Sequence, residues 1–213
     1  MRVAVLSEAD PDEASVTILA EGVLGVELRR VAFSTLRSRG WPSVRDLLPV
    51  VFRQLYYNTD AEALVMVVDS DDSPIHRSGH DEAGGADLSC RLCLLRQSVA
   101  RVKSSLNPIP GRPMIRTALG LAVPAIEAWY RCGLDPRVNE AAWARALGGE
   151  RIGYDRKSLK RDAYRMEPAP TSVRTAVAEE SAKRLANDLE SFERLFPDGF
   201  GALARDLRSW ELG

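Results

Sequence analysis

The sequence predicts an α/β domain with a mainly parallel sheet, and three observations lead there. Strand-like and helix-like segments alternate along the chain, the order that wraps helices around a parallel sheet. The run ALVMVVD, residues 63–69, is apolar on both faces, as a strand covered by helices on each side must be. The segment RVAVLS, residues 2–7, is followed by Pro11, Asp12 and Glu13, which suit the first turn of a helix and its positive end.

The remaining elements come in order along the chain. The first helix, about 11–25, turns Ala14, Ile18, Leu19 and Val23 inward, and 26–35 reads as a second extended segment. Pro42 and Ser43 open a helix with Val44, Leu47, Leu48, Val51 and Leu55 at helical spacing. After the strand at 63–69, the Gly, Ser, Asp and His of 70–89 make a loop, and 90–106 returns to helical period. NPIPGRP breaks that helix; a strand at 114–122, a helix from near Pro124 and another at 139–147 come next. Residues 171–196 read as one long helix with Val173, Val177, Leu185, Leu189, Phe192 and Phe196 on one face, and a short helix carries Phe200, Leu203, Leu207 and Trp210. Residues 1–150 thus form the α/β domain, with a His/Cys-containing insertion at 70–93, and the basic segment and helices of 151–213 pack upon it.

Composition sets limits on function. The 213 residues are 45% apolar and 28% charged with a net charge of −1. That balance carries no general attraction to nucleic acid or anionic membranes, so such contacts need local patches. No run of about 18 apolar residues is present, as a membrane-spanning helix requires. Three cysteines, two of them in C-x-x-C, and an N-terminus that reads as a strand rather than a leader point to a cytoplasmic protein with metal or thiol chemistry.

Side chains just past the carboxyl ends of parallel strands line the ligand crevice. Glu8 comes after the first strand, Asp69, Asp71 and Asp72 after the second long one, and Glu127 after the third. If the three strands are neighbours, these acids converge. Carboxylates so gathered call for a hard cation such as Mg²⁺ or Mn²⁺. Strand periodicity points Asp69 and Asp71 the same way. Residues 69–87 carry six acids against Arg77, a balance of −5.

The stretches VLSEADPDE, VVDSDD and PAIEAW resemble the acidic motifs of the Toprim catalytic fold of topoisomerases, primases and related nucleases. The first 130 or so residues look like small stand-alone Toprim-like proteins of phage defence, relatives of the OLD (overcoming lysogenization defect) and RloB-like nucleases. The resemblance implies a metal-dependent nuclease with Glu8 as general acid or base, Asp69 and Asp71 as Mg²⁺ ligands, and Glu127 completing a second metal position. It implies nucleic acid, DNA or RNA, as substrate and a protein such as an ATPase as partner. The family has Glu-Gly where this chain has Glu8-Ala9. Two alternatives stand beside it: a catalytically inactive, zinc-stabilised binding or toxin-partner module, and a D-x-D metal-dependent phosphotransfer enzyme.

A second metal centre is written into the loop. His76-x3-His80 and Cys90-x2-Cys93 have zinc-ligand spacings and include both histidines of the chain. Two imidazoles and two thiolates make a closed, structural site, and a clip of that kind orders the long loop. Cys132 reads as a buried thiol. Basic residues supply candidate phosphate contacts: Arg112 and Arg116 near the third strand, and Lys157, Lys160 and Arg161 on one face of a helix in 151–165. Trp129, Tyr130 and Trp143 read as packing residues.

Overall fold

A computed structural model describes residues 1–32, 40–166 and 168–210. Four parallel strands form one sheet in the order β2-β1-β3-β4: β1 (Arg2–Leu6), β2 (Arg29–Arg30), β3 (Ala63–Asp69) and β4 (Arg116–Ala122). Val3–Leu6 of β1 register against Ala63–Met66 of β3, and Ala63–Asp69 against Arg116–Ala122 of β4. The apolar run is therefore a central strand, with Ala63 to Val68 all buried. The predicted second extended segment shrinks to Arg29–Arg30, and its residues 33–35 lie outside the described residues.

The chain steps from β1 to one side and then crosses to β3 on the other. The C-terminal ends of β1 and β3 therefore flank a topological switch point, where an open α/β sheet leaves a crevice. Helix α1 (Asp10–Leu24) packs with α7 (Thr171–Ala186) and α9 (Phe200–Arg208), while α2 (Gly40–Asn58) packs with α3 (Arg91–Ser105). These groups reflect the opposite senses of the crossovers. α4 (Ile126–Cys132), α5 (Glu140–Leu147), α6 (Arg156–Tyr164) and α8 (Leu189–Leu195) complete the α-helices among the described residues, and a short 3-10 helix spans Ser78–Asp81. No described helix is long and apolar enough to cross a membrane.

Two helices differ from expectation. α1 buries Leu19 as expected, but beside it Asp12, Ser15, Val16 and Ala20 rather than the predicted Ala14, Ile18 and Val23, which are half-buried. It lies between the sheet and α7, so both flanks are covered and polar side chains are drawn inward. The long helix of 171–196 is broken at Asn187–Asp188, because Asp188 leaves helical geometry (φ −146°, ψ 66°) and accepts the Ser191 N–H at 3.0 Å. That cap starts α8 in a new direction and stacks Phe192 on Phe200, ring centroids 4.0 Å apart, with Trp129 edge-on at 5.4 Å.

Close approach of α9 to β4 depends on two glycines. A Cβ on Gly120 would meet the Leu203 Cβ at 3.0 Å, and one on Gly199 would lie 2.2 Å from the Leu121 carbonyl oxygen. Gly199→Ala is expected to lower unfolding stability by about 1–3 kcal/mol, read as a shift of the denaturant midpoint. An unchanged midpoint would show that the α9–β4 contact yields easily.

Candidate functional site

The carboxyl ends of β1, β3 and β4 bring acids together as the sequence leads one to expect. Glu8 lies two residues past β1, Asp69 is the last residue of β3, and Glu127 sits in the first turn of α4 just beyond β4. Backbone amides fix two of them. Asp69 N–H donates to Glu8 Oε1 at 3.0 Å, and Ile126 N–H donates to Asp69 Oδ1 at 2.9 Å. Glu127, 5% exposed, accepts from the Tyr164 hydroxyl at 3.1 Å, with Lys160 Nζ 3.9 Å away.

A fourth acid belongs here, one whose place in the sequence suggests only a charge at the positive end of a helix. Asp12, in the first turn of α1, is 7% exposed, and its Oδ1 has no hydrogen-bond partner among the described residues. With Glu8, Asp69 and Glu127 it lines a cleft of about 480 Å³ whose cations are Lys160 and Arg174. Its one sequence signal is an acid four residues after a strand-ending acid. A second cleft, of about 560 Å³, shares Asp69, Glu127 and Lys160 and extends along Arg156, Lys157 and Trp143.

The electrostatic consequence is crowding of negative charge. Burial, then Glu127, pushes Asp12 up from 3.8 to about 7. Burial, then Glu127, Glu8 and Asp12, holds Asp69 well above the usual carboxylate range, and burial raises Glu8 against the opposing Asp69 N–H. A folded state that keeps a proton the unfolded chain releases loses stability as pH rises between the two pKa values. For Asp12 that loss falls between about pH 4 and about pH 7, with Glu127, Glu8, Arg174 and Lys160 as the facing charges. Glu140, also raised to about 7 by burial, acts in the same window. Melting temperature is therefore expected to fall from mildly acidic to neutral pH, and Asp12→Asn to flatten the slope beyond what Glu140→Gln achieves. An Asp12→Asn slope equal to wild type would refute the assignment to Asp12.

Asp71 departs from the expected geometry. Its φ of 48° takes the chain out of extended conformation directly after β3, so Asp69 and Asp71 do not share a direction. Asp71 instead pairs with Arg91 at 2.7 Å and Arg156 at 2.5 Å, and Asp72 with Arg156 at 3.3 Å. Sequence pattern holds no hint of these arginine partners, which come from α3 and α6.

The candidate phosphate contacts divide. Lys157 and Lys160 border the clefts, but Arg161 points to Asp162 on the exposed face, at 3.4 Å. Arg112 and Arg116 lie at the opposite end of the sheet from the carboxylates, which corrects the expectation that they meet the crevice. Arg112 donates to the Thr59 and Leu55 carbonyls at 2.6 and 3.0 Å, and Arg116 begins β4 with its guanidinium by the Met1 sulfur. Their place near a strand is legible in the sequence, but not which end of it they serve.

The His/Cys residues do come together. One ligand atom from each of His76, His80, Cys90 and Cys93 lies within 4.8 Å of the others, making a cluster able to hold a metal ion. Among the described residues this is the one group of three or more His, Cys, Asp or Glu side chains drawn so close. His76 Nδ1 is 3.7 Å from Cys90 Sγ and 3.5 Å from Cys93 Sγ, and His80 Nδ1 is 3.5 Å from Cys93 Sγ. The far nitrogen of His76, Nε2, faces Asp81 Oδ1 at 3.1 Å, and Arg96 pairs with the same carboxylate. His76 and Cys90 are fully buried. Cys132 is the expected buried thiol, 2% exposed, donating to the Trp129 carbonyl at 3.1 Å.

Compared with protein-family models, curated proteins and solved structures, the chain matches none. Function is therefore to be read from the chemistry of the two sites themselves.

Proposed function

We propose that the crevice is the active site of a divalent-cation-dependent phosphodiesterase acting on nucleic acid, on a Toprim-like version of the α/β fold. The observation that carries this reading is the convergence of Glu8, Asp12, Asp69 and Glu127 at a switch point, with Asp12 Oδ1 buried and unpartnered. A cation is the species that relieves such crowding, and the donor set, carboxylate oxygen alone, fits Mg²⁺ or Mn²⁺. The acids must draw closer to share one ion, which the mutual repulsion of unliganded carboxylates resists.

When bound, the ion would polarise a phosphoryl oxygen and acidify an attacking water. Asp69, Asp12 and Glu127 would hold it. Glu8, with its raised pKa and its place on the cleft wall, would take the proton of the attacking water and pass it to the leaving oxygen. Lys160 and Arg174 stand where they would neutralise the non-bridging oxygens, and Arg156 and Lys157 extend that basic wall along the second cleft. The test is hydrolysis of plasmid, single-stranded DNA and tRNA with Mg²⁺ or Mn²⁺. Wild-type protein that is as inert as Asp69→Ala on all three sinks the proposal. One observation favours the inactive binding module instead: Asp71, the second acid of D-x-D, is already neutralised by two arginines. Retained nucleic-acid binding without cleavage would select that reading.

The His/Cys cluster we assign to structural zinc. Bonds of about 2.3 Å to sulfur and 2.0–2.1 Å to nitrogen give tetrahedral S···N edges of about 3.6 Å, and the contacts here are 3.5–3.7 Å. Asp81 on the outer nitrogen of His76 fixes the tautomer that leaves Nδ1 for the metal. Four protein ligands close the site to substrate. Three unpaired cysteines suit a reducing, cytoplasmic setting, where a protein partner such as an ATPase would meet this module.

A further inference from the structure

The two sites meet in one side chain, Arg91. It lies between the thiol pair, in Cys90-Arg91-Leu92-Cys93, and opens α3 with Cys90 as its N-cap. While the two sulfurs face the histidines, the guanidinium reaches the opposite way. It donates to the Asp69 carbonyl oxygen at 2.7 Å, pairs with Asp71 at 2.7 Å, stands 3.8 Å from Glu8 and lies over the Trp41 ring at 5.1 Å. The side chain is only 14% exposed.

The other two ligands constrain the same place from the loop side. Residues 70–76 run directly from the crevice to His76. They are held at the crevice end by Ser70 N–H on the Ala122 carbonyl (2.7 Å) and Asp71 N–H on the Pro124 carbonyl (2.8 Å). Arg91 and Asp71 thus form a bridge whose two feet are each tied to the His/Cys centre.

We infer that Arg91 is a positioning residue through which metal at the His/Cys centre holds the Asp69–Asp71 edge of the crevice in place. The inference rests on the zinc assignment above and would stand even if the crevice proved not to be a hydrolase. With the metal in place, Cys90 and Cys93 fix the backbone on both sides of Arg91, and the guanidinium closes the turn after β3. With the metal removed, the first turn of α3 and the loop lose their common anchor, Arg91 leaves Asp71 and the Asp69 carbonyl, and Arg156 alone remains on the Asp71 carboxylate, so the turn after β3 loosens. The Asp69 side chain keeps its bond from the Ile126 amide, and the backbone of 69–73 is what gains freedom.

Hydrogen exchange on the full chain tests this without reference to catalysis. Zinc-loaded protein is compared with chelator-treated protein and with zinc-loaded Arg91→Met. Removal of zinc is expected to speed exchange of the 69–73 amides at least tenfold while the Val3–Leu6 amides keep their protection. Arg91→Met is expected to retain one zinc per chain and show the same acceleration at 69–73, with the 76–93 segment unchanged. Normal protection at 69–73 in Arg91→Met, or acceleration confined to 74–90 when zinc is removed, would overturn the inference. So would a chain that takes up no zinc. Should global unfolding result from chelation, Val3–Leu6 will exchange too, and the Arg91→Met arm decides alone. Mn²⁺ affinity measured on the same samples separates the two readings: no Mn²⁺ binding by wild type removes the hydrolase while leaving the exchange result intact.

Discussion

Asp69→Ala is expected to reduce the proposed metal-dependent cleavage of nucleic acid at least about a thousandfold, or about 4 kcal/mol of transition-state stabilisation. Asp69 is central because it ends the central strand and borders both clefts. Its Oδ1 accepts from the Ile126 amide, and its own amide holds Glu8. Removing the carboxylate takes away a ligand while the backbone bond to Glu8 survives. The variant should therefore fold, and its melting temperature should stay close to that of wild type, because relief of the crowding around a buried carboxyl offsets the lost bond from the Ile126 amide. Retained stability with loss of activity is the expected signature of a functional charge cluster. Loss of both would mark Asp69 as structural.

Removal of the proposed zinc is the second large effect expected. A structural zinc contributes several kcal/mol to folding through ligands that must give up their protons. Here burial pushes the Cys90 thiol up to about 12 against the opposing Cys93 N–H, a penalty the ion would offset. Because the domain has its own large core, chelation is expected to lower the melting temperature by about 10 °C or more rather than abolish folding. Cys93→Ser should do the same and lose the metal, whereas Cys132→Ser should keep one zinc per chain. Elemental analysis and thermal melts check both. A chain whose melting temperature ignores the chelator carries no structural metal at these residues.

Local pattern makes much of this legible, for a physical reason. Parallel strands covered on both faces are apolar throughout, so β3 announces itself, and the acids that end such strands meet whenever the strands are neighbours. The His and Cys spacings are local constraints as well, and the cluster they predict is formed. What escapes is set by partners distant in sequence. Nothing in the period of α1 says that Asp12 and Ser15 face inward, because α7, about 160 residues later, covers the other flank. Asp71 looks like a twin of Asp69 in the sequence, yet Arg91 and Arg156, from two different helices, capture it in a turned conformation. The break before α8 is visible in principle, since Asp188 with Ser191 three residues on is a cap, but the continuous apolar stripe outweighs it. Arg112 and Arg116 are expected near the right strand but at its wrong end, since charge alone does not report direction along a sheet.

The proposed function requires that the acids at the switch point bind a hard cation. Mn²⁺ binding monitored by electron paramagnetic resonance, on zinc-loaded protein at neutral pH, tests it most directly. Saturable binding is expected in wild type, retained in Arg112→Ala at the far end of the sheet and lost in both Asp69→Asn and Asp12→Asn. Absence of binding up to millimolar Mn²⁺, or binding that survives both substitutions, would contradict it.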